Sequence, residues 1–369
     1  MRPGMQRLLE LLRGQGAACE VSETEWMTVL DLAAKENVLL WVAARLRTTA
    51  RPSMPMLDER LREVERNGRI AAFLWRSNLR SLLAAFHENG MPVIPLKGPW
   101  LAERVYGDAA LRSYSDLDLL IRRSEIAGAE CLLTGLGFRP AGRRDDYERP
   151  WYRGELWIEL HHDVENPLAF DAGIDAVWRR ARLAEFEGVP AWLLAPSDEL
   201  LFLCLHGTRH CFERLSHVLD LALGFRQLRV PRGETGLRRS PESGNILALG
   251  AMMAARLDPG LSISVDVLER VRNRGSLEEL ADRVWRERML QPAAPVDWRI
   301  KHGFYLKIET SGWRRFVRGL RHLRILLTRV IDADFAFAER FKLRQTWQVW
   351  LLRPVRLVLT SVRAAPAGP

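Results

Sequence analysis

Two aspartates one residue apart, Asp116 and Asp118, stand in the run Ser115-Asp116-Leu117-Asp118-Leu119-Leu120-Ile121. On a strand their side chains share a face, while Leu117 and Leu119 point to the other, into a core. Like charges side by side on a buried strand are costly unless a cation sits between them. A divalent metal is the usual compensation, and hard oxygen ligands suit magnesium. The plain alternative is a solvent-facing pair at a sheet edge. Repulsion within the pair predicts that neutralising either aspartate leaves the metal-free fold intact or slightly more stable.

The residues upstream supply a second half to this chemistry. Val93-Ile94-Pro95-Leu96 reads as a strand entering Lys97-Gly98-Pro99, and Trp100 to Tyr106 reads as a helix. Gly98 permits a tight turn, and Pro99 suits the first helical position, where a missing N–H is no loss. A helix N-terminus behind such a turn presents free N–H groups and a positive dipole end, a seat for phosphate. Lys97 adds a point charge beside it. Strand, glycine turn, helix and a strand with Asp-x-Asp together resemble the nucleotidyltransferase fold of the DNA polymerase beta type. More narrowly, Lys97-Gly98, Tyr106-Gly107-Asp108, Arg112 and Asp116-x-Asp118 resemble the bacterial family of uncharacterised nucleotidyltransferases. The broader superfamily has Gly-Ser where this chain has Lys97-Gly98, and Gly98 to Asp116 is a long gap; both features are shared by the narrower family.

The resemblance implies a third carboxylate on a neighbouring strand, and Glu159 between Ile158 and Leu160 fits it. Asp116, Asp118 and Glu159 would then hold two Mg²⁺ ions that clamp an in-line displacement. Lys97, the amides at Gly98 and Arg112 would bind the triphosphate of an NTP. His161 falls where the family tends to carry His, either orienting the carboxylates, touching substrate or simply hydrogen-bonded in the core. The implied reaction moves an NMP from an NTP to an unidentified acceptor with release of pyrophosphate. Two rivals stay open: a kinase on the same scaffold, and a non-catalytic nucleotide- or partner-binding protein. Three intact, mutually repelling carboxylates argue against the second.

The rest of the chain must position this core. At 369 residues, with 47% hydrophobic and 27% charged residues, composition is that of an ordinary globular protein. A net charge of +9 points to anionic partners. The four cysteines are scattered with no C-x-x-C, which reads as free thiols in a reducing compartment. No stretch is long and apolar enough for a transmembrane helix, and the amphipathic start is not a signal peptide, so a cytoplasmic location is expected. The pattern predicts an α+β fold: a small mixed β-sheet nucleotidyltransferase core over 91–195, in the order β-α-β-α-β-β-β, with a helical N-terminal region over 1–90. A helical region over 196–290 and a basic amphipathic helical region over 291–369 follow. Ser124 and Ser197 read as N-caps, and Arg143-Arg144 as a solvated turn.

Beyond the core, His206 and His210 stand four apart on an apolar helix, flanked by Cys204 and Cys211. Zinc would need a third ligand that the sequence does not nominate; an imidazole facing the cleft, touching substrate or its neighbours, is the expectation. Asp220 on an apolar helix needs a partner. Residues 229–245 read as a linker. The tail interleaves Arg314, Arg315, Arg318 and Arg321 with the stripe Trp313, Phe316, Leu320 and Leu323, leaving packing on the body, membrane-surface contact and nucleic-acid binding as readings. The stripe predicts a tail docked on the body. The acceptor is accordingly expected to be a small molecule, peptide or protein rather than a long nucleic acid.

Overall fold

The computed structural model describes residues 3–14, 21–49, 51–141, 147–165, 173–228, 241–263 and 275–289, with short stretches between 304 and 356. Four helices come first: α1 (Pro3–Leu12), α2 (Glu23–Lys35), α3 (Leu39–Thr48) and α4 (Pro55–Glu88). α2 opens on a capping box in which Ser22 and Glu25 satisfy each other's backbone amides. α4 keeps Leu79, Leu82, Leu83 and Phe86 on one buried face and ends where Asn89 caps it and Gly90 turns at φ +68°.

The sheet follows in the expected order: β1 (Val93–Pro95), α5 (Gly98–Tyr106), β2 (Leu117–Ile121), α6 (Ile126–Gly135), β3 (Arg139–Pro140), β4 (Glu148–Arg153) and β5 (Leu156–His161). In space the strands run β1-β2-β5-β4-β3, with β2 parallel to β5 and every other pair antiparallel. The protein is thus α+β with a mixed sheet. β2 is flanked on both sides, and all five of its residues are buried. Asp118 is the single polar side chain in that strand, so its charge must be met inside the protein.

Both serine caps are corrected. Ser124 lies inside a short 3₁₀ turn, Arg123–Glu125, and Glu125 is the cap residue of α6. α8 (Pro196–Arg209) starts after Ala195, leaving the Ser197 hydroxyl buried in its first turn with no hydrogen-bond partner among the described residues. In both cases a residue suited to capping sits one or two positions away from the point where the chain enters the helix. Between β5 and α8 the chain adds α7 (Ile174–Arg180) and a hairpin, β6 (Arg182–Phe186) with β7 (Val189–Leu193), turning at Glu187 and Gly188 with positive φ. Phe186, Val189 and Ala191 join the core with Trp100 and Phe86, tying the hairpin to the sheet and α4.

α9 (Leu215–Gln227) and α10 (Pro241–Leu257) complete a helical layer with α8. A Cβ added at Gly250 would lie 2.3 Å from the Cys204 sulfur, so α8 and α10 cross closely only because that side chain is missing. The expected linker is shorter than 229–245, since α10 already begins at Pro241; positions 229–240 fall outside the described residues. A helix at Gly275–Val284 packs on α10. Arg143, Arg144 and Cys19 also lie outside the described residues, and no disulfide involves Cys131, Cys204 or Cys211.

The tail departs from expectation. Trp313, Phe316 and Leu320 are 71%, 57% and 50% exposed, so these three residues of the stripe are not buried against the body. Leu323, Arg314, Arg315, Arg318 and Arg321 fall outside the residues whose side chains are described. Farther along, Arg356 Nε lies 2.5 Å from the buried Asp334, so some of the tail's positive charge is matched internally. Among the described residues no helix is long and apolar enough to cross a membrane.

Candidate active site

β1 delivers the chain to Lys97, and the turn into α5 depends on Gly98. Its φ is +75°, and a Cβ there would sit 3.3 Å from Leu117 Cδ2. A glycine is the residue that lets the first turn of α5 press against the start of β2. Pro99 follows within that turn. The helix N-terminus is therefore held beside the strand that carries Asp118.

In the parallel β2–β5 pair, Asp118 stands beside Glu159, and in the neighbouring antiparallel pair Glu148 of β4 stands opposite His161. Alternation along each strand puts Asp118, Glu159, His161 and Glu148 on one face of the sheet. One ligand atom from each of Asp118, Glu159 and His161 lies within 4.8 Å of the others. Asp116 sits one residue ahead of β2, and it lines a cleft of about 420 Å³ with Asp118 and Glu159. Lys97, Gly98, Arg112, His206 and His210 line the same cleft. His161 lies beneath it, buried, with Nε2 3.1 Å from Asp118 Oδ1 and 3.5 Å from Glu159 Oε2.

Charge is finely divided here. Burial pushes the Asp118 carboxyl up, but Lys97 and His161 outweigh it and hold the group well below the ordinary carboxylate range. Lys97 Nζ lies 3.0 Å from Asp118 Oδ2. Asp116 behaves oppositely: burial and the neighbouring Asp118 raise it, with Lys97 only partly opposing. Burial would depress the His161 imidazole, yet hydrogen bonds to Asp118 and Glu159 and the charge of Glu148 raise it to about 9. The two aspartates, alike in sequence, are thus in different electrostatic states.

Arg112 meets the partner that Asp220 needed. Its Nε and Nη2 each lie 3.0 Å from a carboxylate oxygen of Asp220, and Tyr106 Oη donates to the same carboxylate at 2.5 Å. The pair clamps α9 to the loop ahead of β2.

Three residues of the cleft were not singled out from sequence. Glu148 lies 3.3 Å from His161 Nδ1, and burial raises its carboxyl despite His161 and Arg209. Arg209 Nη1 donates to Tyr147 Oη at 3.2 Å and lies 3.6 Å from Glu148. His217, on α9, completes a cluster with His206 and His210, with ring centroids 4.7, 5.2 and 5.4 Å apart. The chain folds back between His210 and Leu215, with Cys211 and Phe212 at positive φ, and this brings His217 to the other two. The three imidazoles are not among the clusters whose ligand atoms converge within metal-binding range. They form an aromatic, polar wall instead.

Two of these imidazoles, His206 and His217, disfavour the charged form. Burial, then Lys97 and the neighbouring imidazoles and Arg209, depress His206 well below its usual value. Burial brings His217 down to about 4, with Asp220 opposing. An unfolded chain takes up these protons near pH 6.5, which the native state resists, so stability should fall as pH drops from about 6.5 towards 4. His161 works the other way, contributing fully below its unfolded value and losing its contribution as pH rises through about 9. His217→Gln should therefore flatten the acid side of the stability profile. Denaturant melts at pH 5 and pH 7 check this; an unchanged difference between them would refute the assignment.

A mixed sheet presenting paired carboxylates beside a glycine-turn helix N-terminus is the architecture of a nucleotidyltransferase. The sequence profile of the family described as uncharacterised nucleotidyltransferases matches residues 22–255, from the cap of α2 into α10. The chain belongs to that family and is a nucleotidyltransferase. Two structures of ANT(2'')-Ia are similar to it: a crystal structure in complex with adenylyl-2''-tobramycin, at 14% identity, and a solution structure, at 15%. They cover 49% and 56% of this chain and 97% and 95% of that protein, with TM-scores of 0.34 and 0.30. No curated protein matches the chain.

Proposed function

We propose that the protein is a metal-dependent enzyme that moves an NMP from an NTP to an acceptor nucleophile, releasing pyrophosphate. The observation that carries this is the placement of Asp118 beside Glu159 on parallel strands, facing a cleft entered by the N-terminus of α5. The donor set fits a divalent cation such as Mg²⁺: carboxylate oxygens from Asp118 and Glu159, with Asp116 at the rim. Such an ion would supply charge neutralisation at the transferred phosphoryl and a lowered acceptor pKa.

The chain's own groups do the rest. The first-turn amides of α5 and the Lys97 ammonium seat the triphosphate. Arg209, reaching the cleft over Tyr147, is a further cation for it. Arg112 commits two of its N–H groups to Asp220, so its first duty is to fix the wall along which the nucleotide lies. The imidazoles of His206, His210 and His217 offer hydrogen-bonding groups and flat faces to the acceptor. A cleft of about 420 Å³ suits a small molecule or a single protein side chain better than a long nucleic acid.

Incubation with each labelled NTP and Mg²⁺, using cell lysate as the source of acceptors, tests the reaction. Product mass distinguishes an added nucleotide from a single phosphate, the signature of the kinase alternative. Glu159→Gln should bind metal more weakly, with turnover partly restored by high Mg²⁺ or by Mn²⁺. Wild-type turnover of that variant at limiting Mg²⁺ would place the third ligand elsewhere.

A further inference from the structure

Lys97 suits a phosphate ligand by its place in the chain, yet its ammonium is engaged with Asp118 at 3.0 Å, the two side chains being 8% and 1% exposed. The same carboxylate takes His161 at 3.1 Å on its other oxygen. Both oxygens of the most buried carboxylate in the cleft therefore already have a protein partner, the Lys97 ammonium on one and the His161 ring on the other. A divalent ion ligated by Asp118 and Glu159 would bring a second positive charge against Lys97 in a water-poor site, where like charges repel strongly. Lys97 and the metal compete for one anion.

We propose, on the basis of the metal-dependent transfer argued above, that Lys97 is a built-in counter-ion which a divalent cation must displace from Asp118, and that this displacement delivers the ammonium to the triphosphate. The backbone need not move for this. Lys97 is the residue that caps the start of α5, so its main chain already stands at the phosphate seat. Its flexible four-carbon stem can swing between carboxylate and phosphate by rotamer change alone. Metal and nucleotide then help each other: the metal frees the ammonium, and the phosphate gives it another anion. Without either, the charge of Asp118 is met inside the protein by Lys97, and only Asp116 is left facing like charge.

Titration of Mn²⁺ into the nucleotide-free protein, followed by electron paramagnetic resonance, tests the competition. Lys97→Met should bind Mn²⁺ about tenfold or more tightly than the wild type, since one charge-assisted contact no longer opposes the metal. Equal or weaker binding by the variant overturns the proposal while leaving the metal-dependent reaction standing. Binding by neither form overturns both. Because the variant leaves Asp118 short of a partner and can fail to fold, the wild type carries a second measurement. Acetylation of Lys97 by an amine-specific reagent, read by peptide mass spectrometry, should be slow in EDTA and several-fold faster with Mn²⁺ present. An unchanged or slower rate with Mn²⁺ also overturns the proposal.

Discussion

Asp118→Asn should destabilise the metal-free protein by about 3–5 kcal/mol, the cost of removing one partner from a buried ion pair. Asp116→Asn should leave stability unchanged or raise it. Lys97 faces Asp118 in a buried setting and would lose that carboxylate, whereas His161 would keep Glu148 and Glu159. Among the described residues Asp116 has no such ion pair, and burial together with Asp118 disfavours its charge. Repulsion between the two carboxylates, which in sequence makes them equivalent, is thus outweighed at Asp118 by attraction to its partners. Turnover should be lost in Asp118→Asn and strongly reduced in Asp116→Asn. Denaturant melts in EDTA separate the variants; equal shifts would mean that the Lys97 pair adds nothing to the fold.

Asp220→Asn should be as damaging, at about 3–5 kcal/mol, because it leaves the Arg112 guanidinium buried against a neutral amide. The carboxylate also receives Tyr106 Oη from the end of α5, so three parts of the cleft loosen together. Arg112→Lys should not substitute, since an ammonium cannot repeat the two parallel N–H contacts. The comparison that decides the role of Arg112 is Arg112→Ala. A large fall in melting temperature with a modest rise in KM for NTP marks a wall residue. A KM raised more than about tenfold at unchanged stability would mark a direct phosphate ligand, as its sequence position suggests.

The core of this site was legible because its signals are local. A strand, a glycine turn, a helix start and an Asp-x-Asp strand each leave a short pattern, and the order β-α-β-α-β-β-β followed from them. Glu159 could be named because it sits between Ile158 and Leu160 in an alternating run. What stayed hidden depends on contacts far apart in the chain. Glu148 shares its strand face with Pro150 and Tyr152, and nothing local separates it from a solvent-facing acid. His217 belongs with His206 and His210 only after the reversal at Cys211 and Phe212, which no glycine or proline announces. The β6–β7 hairpin carries Arg182, Leu183 and Glu185 on its outside, so its pattern blends into a polar loop. The tail stripe was read as a docking face from periodicity, which reveals an apolar stripe but not whether anything covers it.

The parallel pairing of β2 with β5 carries a consequence for how the molecule is assembled in time. The chain leaving β2 at Ile121 returns as β5 only at Leu156, after α6 and two more strands. Parallel neighbours cannot be joined by a hairpin, so this loop must close before the pair exists, and such non-local closure is slow. The turns of helices α1 to α4 form from hydrogen bonds four residues apart and need not wait for it. During refolding, the helical circular-dichroism signal should return ahead of any capacity to bind Mn²⁺. A ligand that holds the native pair and not the open chain then acts as a late latch, slowing unfolding more than it speeds folding.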